Sequence, residues 1–256
     1  MTIRYREDGN PGGRAMVFAN SLGTDMQVWE AVLPAFTDTF RVIRYDERGH
    51  GLSDAPPAPY SLQDHVLDIA AVMEAAGAKD SIVVGLSVGG MIAQGLAIER
   101  PDLVAALVLC DTAHKIGTPE MWEQRIGLIR KGGIAALAEP ILERWFSASF
   151  RETKAVELGL WRNMLTRTPL EGYLGTCCSI RDADLTDRVG AIRVPTLCLC
   201  GTEDGATPPE LVRSMADLIP GAGFMLIPEA GHLPCVENPA AFVSAVTRFL
   251  EENDLV

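Results

Sequence analysis

Ser81-Ile82-Val83-Val84-Gly85-Leu86-Ser87-Val88-Gly89-Gly90-Met91-Ile92-Ala93-Gln94-Gly95-Leu96-Ala97-Ile98-Glu99 is the stretch that decides the fold. Its opening residues are short, apolar and β-branched and stop at glycine, the mark of a strand buried on both faces. Its closing residues are helix-like. Between them Gly85-x-Ser87-x-Gly89 falls at a strand-to-helix corner, the pattern of a nucleophile elbow. There a strained turn lifts the serine hydroxyl above the sheet edge while the glycines let the backbone pass without a Cβ clash. Ser87 then stands at a helix start, where unpaired amides and the positive dipole end favour developing negative charge. The plainer alternative is a glycine-rich corner without chemistry; strand and helix on the correct sides favour catalysis.

On the N-terminal side, Ile3 to Tyr5 and Ala15 to Ala19 are predicted strands separated by the turn-rich Gly9-Asn10-Pro11-Gly12-Gly13. The second runs into Asn20-Ser21-Leu22-Gly23, where the Leu22 amide, with that of Val88, is expected to form an oxyanion hole. Arg41 to Tyr45 alternates like a strand and enters Asp46-Glu47-Arg48-Gly49-His50-Gly51. His50 lies between glycines and reads as a turn residue bonding backbone. Ala55 to Pro59 is a rigid spacer. Ser61-Leu62-Gln63-Asp64 starts a helix whose apolar face is Val66, Ile69, Ala70 and Met73, with His65 expected toward solvent.

On the C-terminal side, Arg100-Pro101 closes the elbow helix, and Ala105 to Cys110 is another buried strand ending at Asp111. Continuous apolar strands alternating with helices predict an α/β fold: a mostly parallel central sheet with helices on both faces. Ligands in such sheets collect beyond the carboxyl ends of strands, where Leu22, Ser87 and Asp111 fall. From Ala113 to about Arg188 strands vanish, helical periodicity takes over, and Trp122, Trp145 and Trp161 appear. Residues 113–188 are therefore expected to be a helical cap inserted between sheet strands, with 1–112 and 189–256 as the core domain. Trp122 and Trp145 read as cap core and as pocket walls. Arg125 and Arg144 are candidates to meet a substrate carboxylate, as is an arginine near Arg48.

Strand patterning returns at Val194 to Cys200, followed by Gly201-Thr202-Glu203-Asp204-Gly205. A helix from Pro209 and a strand from Phe224 to Ile227 lead to Glu229-Ala230-Gly231-His232-Leu233, and the last helix starts near Pro239. A serine hydroxyl is a poor nucleophile at neutral pH; it needs a base that a buried acid holds in the correct tautomer. The order Ser87, Asp204, His232 supplies nucleophile, orienting acid and base. Asp111 is the rival acid, Glu203 a weaker one, and His114 belongs to the cap entrance.

The net charge is -12, with a sequence pI near 4.8, which argues against nucleic acid or an anionic membrane as partner. An anionic substrate then has to be received by local cations. No apolar run has the length of a signal-peptide core or a membrane span, so a soluble cytoplasmic protein is expected. Cys110, Cys177, Cys178, Cys198, Cys200 and Cys235 lack metal-ligand spacing and read as reduced core thiols; no metal site is predicted. Oligomeric state is not legible.

Over its whole length the chain resembles the α/β-hydrolases, and more narrowly the 3-oxoadipate enol-lactonase family of the β-ketoadipate pathway. The narrower likeness rests on Asn20 to Asp25, Arg44 to Asp46, Asp54 to Pro57, Gly85 to Ser87, Lys115 to Trp122, Leu142 to Phe146, Ile180 to Leu185 and Gly201-Thr202. The cap stretches weigh most, because the elbow is common to many activities. The resemblance implies an α/β-hydrolase fold and hydrolysis of a small anionic lactone, the enol lactone of 3-oxoadipate, without metal or organic cofactor. Departures are Val88 where methionine is common, Asp111 where asparagine is frequent, Gly205 where proline is frequent, and a first strand expected to be missing from the sheet edge. The competing functions are an esterase, carbon-carbon bond hydrolase or perhydrolase on the same scaffold, and a ligand receptor that barely turns over.

Overall fold

A computed structural model describes all 256 residues. The sheet has seven strands: β1 (Tyr5–Gly9), β2 (Ala15–Ala19), β3 (Arg41–Tyr45), β4 (Ser81–Leu86), β5 (Val104–Cys110), β6 (Thr196–Gly201) and β7 (Gly223–Ile227). Their spatial order is β1-β3-β2-β4-β5-β6-β7, and only β1 runs antiparallel to its neighbour. The apolar runs of β2, β4 and β6 are buried throughout, as a parallel sheet covered on both faces requires. The edge strand β1 starts at Tyr5 rather than ending there. Its residues Tyr5-Arg6-Glu7-Asp8-Gly9 are mostly exposed, and pairing with β3 plus ion pairs Arg44–Asp8 (2.6 Å) and Arg41–Glu7 (3.7 Å) hold it in place.

Two helices flank the elbow region, α1 (Leu62–Ala75) and α2 (Val88–Glu99). Ser61 caps α1 in a capping box with Asp64, satisfying amides at both positions. His65 on α1 is 1% exposed, contrary to the solvent-facing position expected for it. The cause lies in the segment before α1: the Tyr60 amide donates to the Gly175 carbonyl, and the Tyr60 ring stands edge-on to the imidazole at 5.9 Å. Arg48 is likewise committed to the scaffold, its guanidinium bonding Asp68 at 2.6 and 2.9 Å, so it is not the free cation the sequence allowed.

Between β5 and β6 the chain forms five helices: α3 (Pro119–Gly132), α4 (Ala138–Trp145), α5 (Ala148–Thr153), α6 (Ala155–Arg167) and α7 (Leu170–Asp182). Thr118 caps α3 by accepting from the Met121 amide. Helix α8 (Pro209–Leu218) joins β6 to β7, and short α9 (Pro234–Glu237) and long α10 (Pro239–Glu252) complete the chain. All six cysteines are free and buried, and burial raises their thiols. No helix is long and apolar enough to cross a membrane.

Candidate active site

Ser87 occupies the corner between β4 and α2 at φ 58° and ψ −118°, the left-handed half of the map that a side chain enters only under constraint. The constraint is close backbone packing. A Cβ on Gly85 would lie 2.4 Å from the Gly89 carbonyl oxygen, and one on Gly89 would lie 2.3 Å from that of Ala19. Both glycines of the motif are thus required by geometry.

Two backbone amides next to this corner have no partner. The Ser87 amide donates to Cys110 and the Gly89 amide to Asn20, leaving Val88 between them unbonded. In the other loop the Ser21 amide donates to Thr24 Oγ1 (3.1 Å) and the Gly23 amide to His50 Nε2 (3.0 Å), leaving Leu22 unbonded. Leu22 and Val88 are 6% and 1% exposed, and buried N–H groups without acceptors are costly unless something arrives to accept them.

The loop bearing Leu22 is anchored by residues that sequence reasoning had not assigned to the site. Glu47 accepts from the Asn20 amide (2.5 Å) and from Asn20 Nδ2 (2.6 Å), while Trp29 Nε1 donates to Asn20 Oδ1 (2.8 Å). Burial pushes the Glu47 carboxyl up to about 8 against the lowering effect of the Asn20 bonds. His50 accepts at Nε2, so Nδ1 carries the hydrogen and faces the Arg48 carbonyl at 3.1 Å; burial pushes this imidazole down to about 4. Its backbone-bonding role matches the expectation. The one sequence signal for Glu47 and His50 is their position in the loop after β3.

At the far side of the sheet end, His232 Nδ1 lies 3.1 and 3.0 Å from the two oxygens of Asp204. Asp204 also accepts from the amides of Ala206 (2.7 Å) and Thr207 (3.0 Å) and from Thr207 Oγ1 (2.6 Å). Burial alone would raise this carboxyl, but the His232 charge, the His232 hydrogen bond and the Thr207 bonds together hold it below the usual carboxylate range. The His232 amide donates to the Trp145 carbonyl (2.8 Å), and Glu237 accepts from the Gly231 amide (2.7 Å) and from Ser147 Oγ (2.7 Å). The base loop is therefore bonded to the end of α4. Asp111, at φ 47°, lies beneath: one oxygen accepts from the Gly201 amide (2.8 Å), and burial followed by the Asp204 charge raises its carboxyl well above the ordinary range. Asp111, Asp204 and His232 offer ligand atoms all within 4.8 Å, the spacing of a metal cluster. Asp204 and His232 Nδ1 are, however, already committed to each other and to residues 206 and 207, so the cluster is organised around hydrogens.

Ser87, Leu22 and His232 open on one cavity of about 200 Å³, walled by Trp122, Trp145, Ile141 and Ile180. Ser87 Oγ makes no hydrogen bond within 3.5 Å; serine-histidine contacts often tighten only once substrate is bound. Trp122 Nε1 donates to the Ile116 carbonyl (2.7 Å), leaving its ring to wall the cavity. Arg125 reaches the same space with its guanidinium 5.1 Å from the Trp122 ring and bonded to the Tyr173 hydroxyl, and no carboxylate lies within 4.0 Å of it. Arg144 also borders the cavity, but its Nε and Nη2 donate to the carbonyls of Gly205 (2.9 Å) and Ala206 (3.4 Å), bracing the acid loop.

The sheet order and the elbow define the class, and a family model described as the alpha/beta hydrolase family matches residues 16–245. The chain belongs to the alpha/beta hydrolase family. Within it, the chain is 30% identical to 3-oxoadipate enol-lactonase 2 of Acinetobacter baylyi, over 96% of this chain and 92% of that one. It matches the crystal structure of the enol-lactonase from Burkholderia xenovorans LB400 with a TM-score of 0.94 and 37% identity, covering 97% and 96% of the two chains. A thermophilic esterase from Thermogutta terrifontis, solved with malate bound, matches with a TM-score of 0.91 and 30% identity over 98% and 93%.

Proposed function

We propose that the chain is a serine hydrolase that opens the enol lactone of 3-oxoadipate to 3-oxoadipate, a step of the β-ketoadipate pathway of aromatic degradation. The observation that carries the hydrolase reading is the pair of buried, unbonded amides at Leu22 and Val88 flanking an exposed-to-cavity serine hydroxyl. Such a pair is an oxyanion hole awaiting its oxyanion. The substrate reading is supported by the similarity to named enol-lactonases and by Arg125, a cation that borders the cavity without an acid partner, beside the ring of Trp122 in a space that Trp145 also walls.

In this reaction His232 Nε2 takes the proton of Ser87 Oγ as the oxygen attacks the lactone carbonyl, and Asp204 stabilises the imidazolium through Nδ1–H. The Leu22 and Val88 amides receive the oxyanion. Collapse of the tetrahedral intermediate breaks the ring carbon-oxygen bond; the leaving enolate takes the proton from the His232 imidazolium and becomes a ketone, which restores His232 as a neutral base. His232 then deprotonates water, which attacks the acyl-enzyme and returns Ser87. Arg125 holds the carboxymethyl arm, Trp122 and Trp145 wall the ring, and Arg144 keeps Asp204's loop in place. The helical segment 113–188 serves as the cap over the core formed by 1–112 and 189–256. These steps call on no metal or organic cofactor.

The test is a spectrophotometric assay on freshly generated enol lactone beside simple aryl esters, with Ser87→Ala as control. Preference for the lactone is the expected result. Faster turnover of aryl esters would favour the second reading, a small-ester hydrolase, which the Thermogutta terrifontis esterase likeness supports. Arg125→Gln is expected to raise KM for the lactone about a hundred-fold with little change in kcat, because a carboxylate clamp remote from the reacting carbonyl contributes uniform binding. An unchanged KM would move the carboxylate elsewhere.

A further inference from the structure

Asp111 is a fully buried carboxyl placed against the acid that orients the base. Its exposure is 0%, it has no ion-pair partner, and Oδ1 accepts from the Gly201 amide while Oδ2 has no donor. Its surroundings are Asp204, His232 and the thiols of Cys110, Cys200 and Cys235, with no lysine or arginine among them. Asp204 by contrast receives two amides, one hydroxyl and the imidazole. Two carboxylates this close, one surrounded by donors and the other with one amide and the weakly donating Cys200 thiol, do not both ionise; the charge settles where the stronger donors are. A proton retained on Asp111 also gives its orphan oxygen something to donate, and the nearest acceptor is Asp204.

We propose that Asp111 is a reserve orienting acid: it shares one negative charge with Asp204, and when the Asp204 charge is removed it ionises and takes the Nδ1–H of His232. The inference rests on the Ser87–His232–Asp204 reading of the site. The two acids follow neighbouring strand ends, β5 and β6, and each offers an oxygen within 4.8 Å of an imidazole nitrogen. With asparagine at 204 the like charge that suppresses ionisation is gone. Asp111 then releases its proton to solvent, and its carboxylate, already within 4.8 Å of a His232 ring nitrogen, becomes the acceptor for Nδ1–H. In the native protein Asp111 is a positioning residue that acts through Asp204 and touches no substrate.

The experiment is a double-mutant cycle read by lactone or ester turnover and, independently of any substrate, by the low-field proton resonance of His232 Nδ1–H. Loss of the orienting acid costs about ten-thousand-fold in kcat where nothing replaces it. Asp204→Asn is expected to lose at least about ten-fold less than that and to keep the low-field proton. Asp204→Asn/Asp111→Asn is expected to show the full loss and no such proton, while Asp111→Asn alone stays within about ten-fold of the native kcat because the amide mimics the neutral acid. Equal losses in the single Asp204 variant and the double variant overturn the proposal, as does an Asp111→Asn loss matching that of Asp204→Asn. Absence of hydrolysis in the native protein with the resonance pattern intact would sink the hydrolase reading and leave the shared charge standing.

Discussion

Ser87 carries its hydroxyl on a backbone held at φ 58°, so the proposed nucleophile and local strain meet in one residue. Ser87→Ala is expected to lower kcat about a million-fold with an unchanged unfolding transition, since Ala keeps the Cβ and loses only the nucleophile. Ser87→Gly is expected to abolish activity equally and to raise stability by about 1 kcal/mol in chemical denaturation, because glycine adopts the left-handed region without penalty. A second single-residue test concerns His65, whose ring nitrogens are buried without partners and which burial pushes down to about 3. The unfolded chain takes up a proton there near pH 6.5 while the folded one does not, so stability is lost as pH falls below that value. His65→Phe is expected to be more stable than the native protein by about 2 kcal/mol at pH 5, the gap narrowing by pH 8, as followed by urea denaturation. Ser87, Asp204 and His232, the proposed triad, stood out in the sequence because each lies beside a glycine or two residues from one in a loop beyond a strand. Glu47, Thr207 and Glu237 did not, because their service is a side-chain bond to a distant loop, which leaves no local pattern.

Helix α7 crosses the loop after β3 at a contact between two glycines: a Cβ on Gly172 would sit 2.0 Å from the Gly49 carbonyl oxygen. Helix propensity alone would favour alanine at position 172, but the obstacle is backbone and cannot swing aside. Gly172→Ala is therefore expected to destabilise by about 2 to 4 kcal/mol, visible as a lowered Tm, whereas the open site Gly159 on α6 should accept alanine with a small gain. At this scale the sequence was most legible where burial is uniform, as in β2, β4 and β6. It was least legible at β1, whose polar residues pair only because β3 offers an antiparallel edge, and at α1, where a neighbouring tyrosine folds over a histidine that periodicity assigns to water.

The molecule as a whole carries a charge of -12, which opposes the approach of the anionic lactone proposed as substrate. Screening acts on the long-range repulsion more than on a sheltered contact. Thus kcat/KM for the lactone is expected to rise about two-fold between about 10 and about 150 mM salt, while a neutral aryl ester shows no such rise in stopped-flow or steady-state rates. The join between α4 and the base loop sets a rule for remodelling this scaffold. The Trp145 carbonyl, which accepts from the His232 amide, and Glu237, which joins the Gly231 amide to Ser147, fasten the seam of any transplant to the backbone that carries the imidazole. A chimera that imports foreign helices from Ala148 onward, in place of α5 and α6, keeps the bonds that seat the His232 loop. One that cuts before Trp145 replaces the cap and severs the bond to the His232 amide in the same stroke.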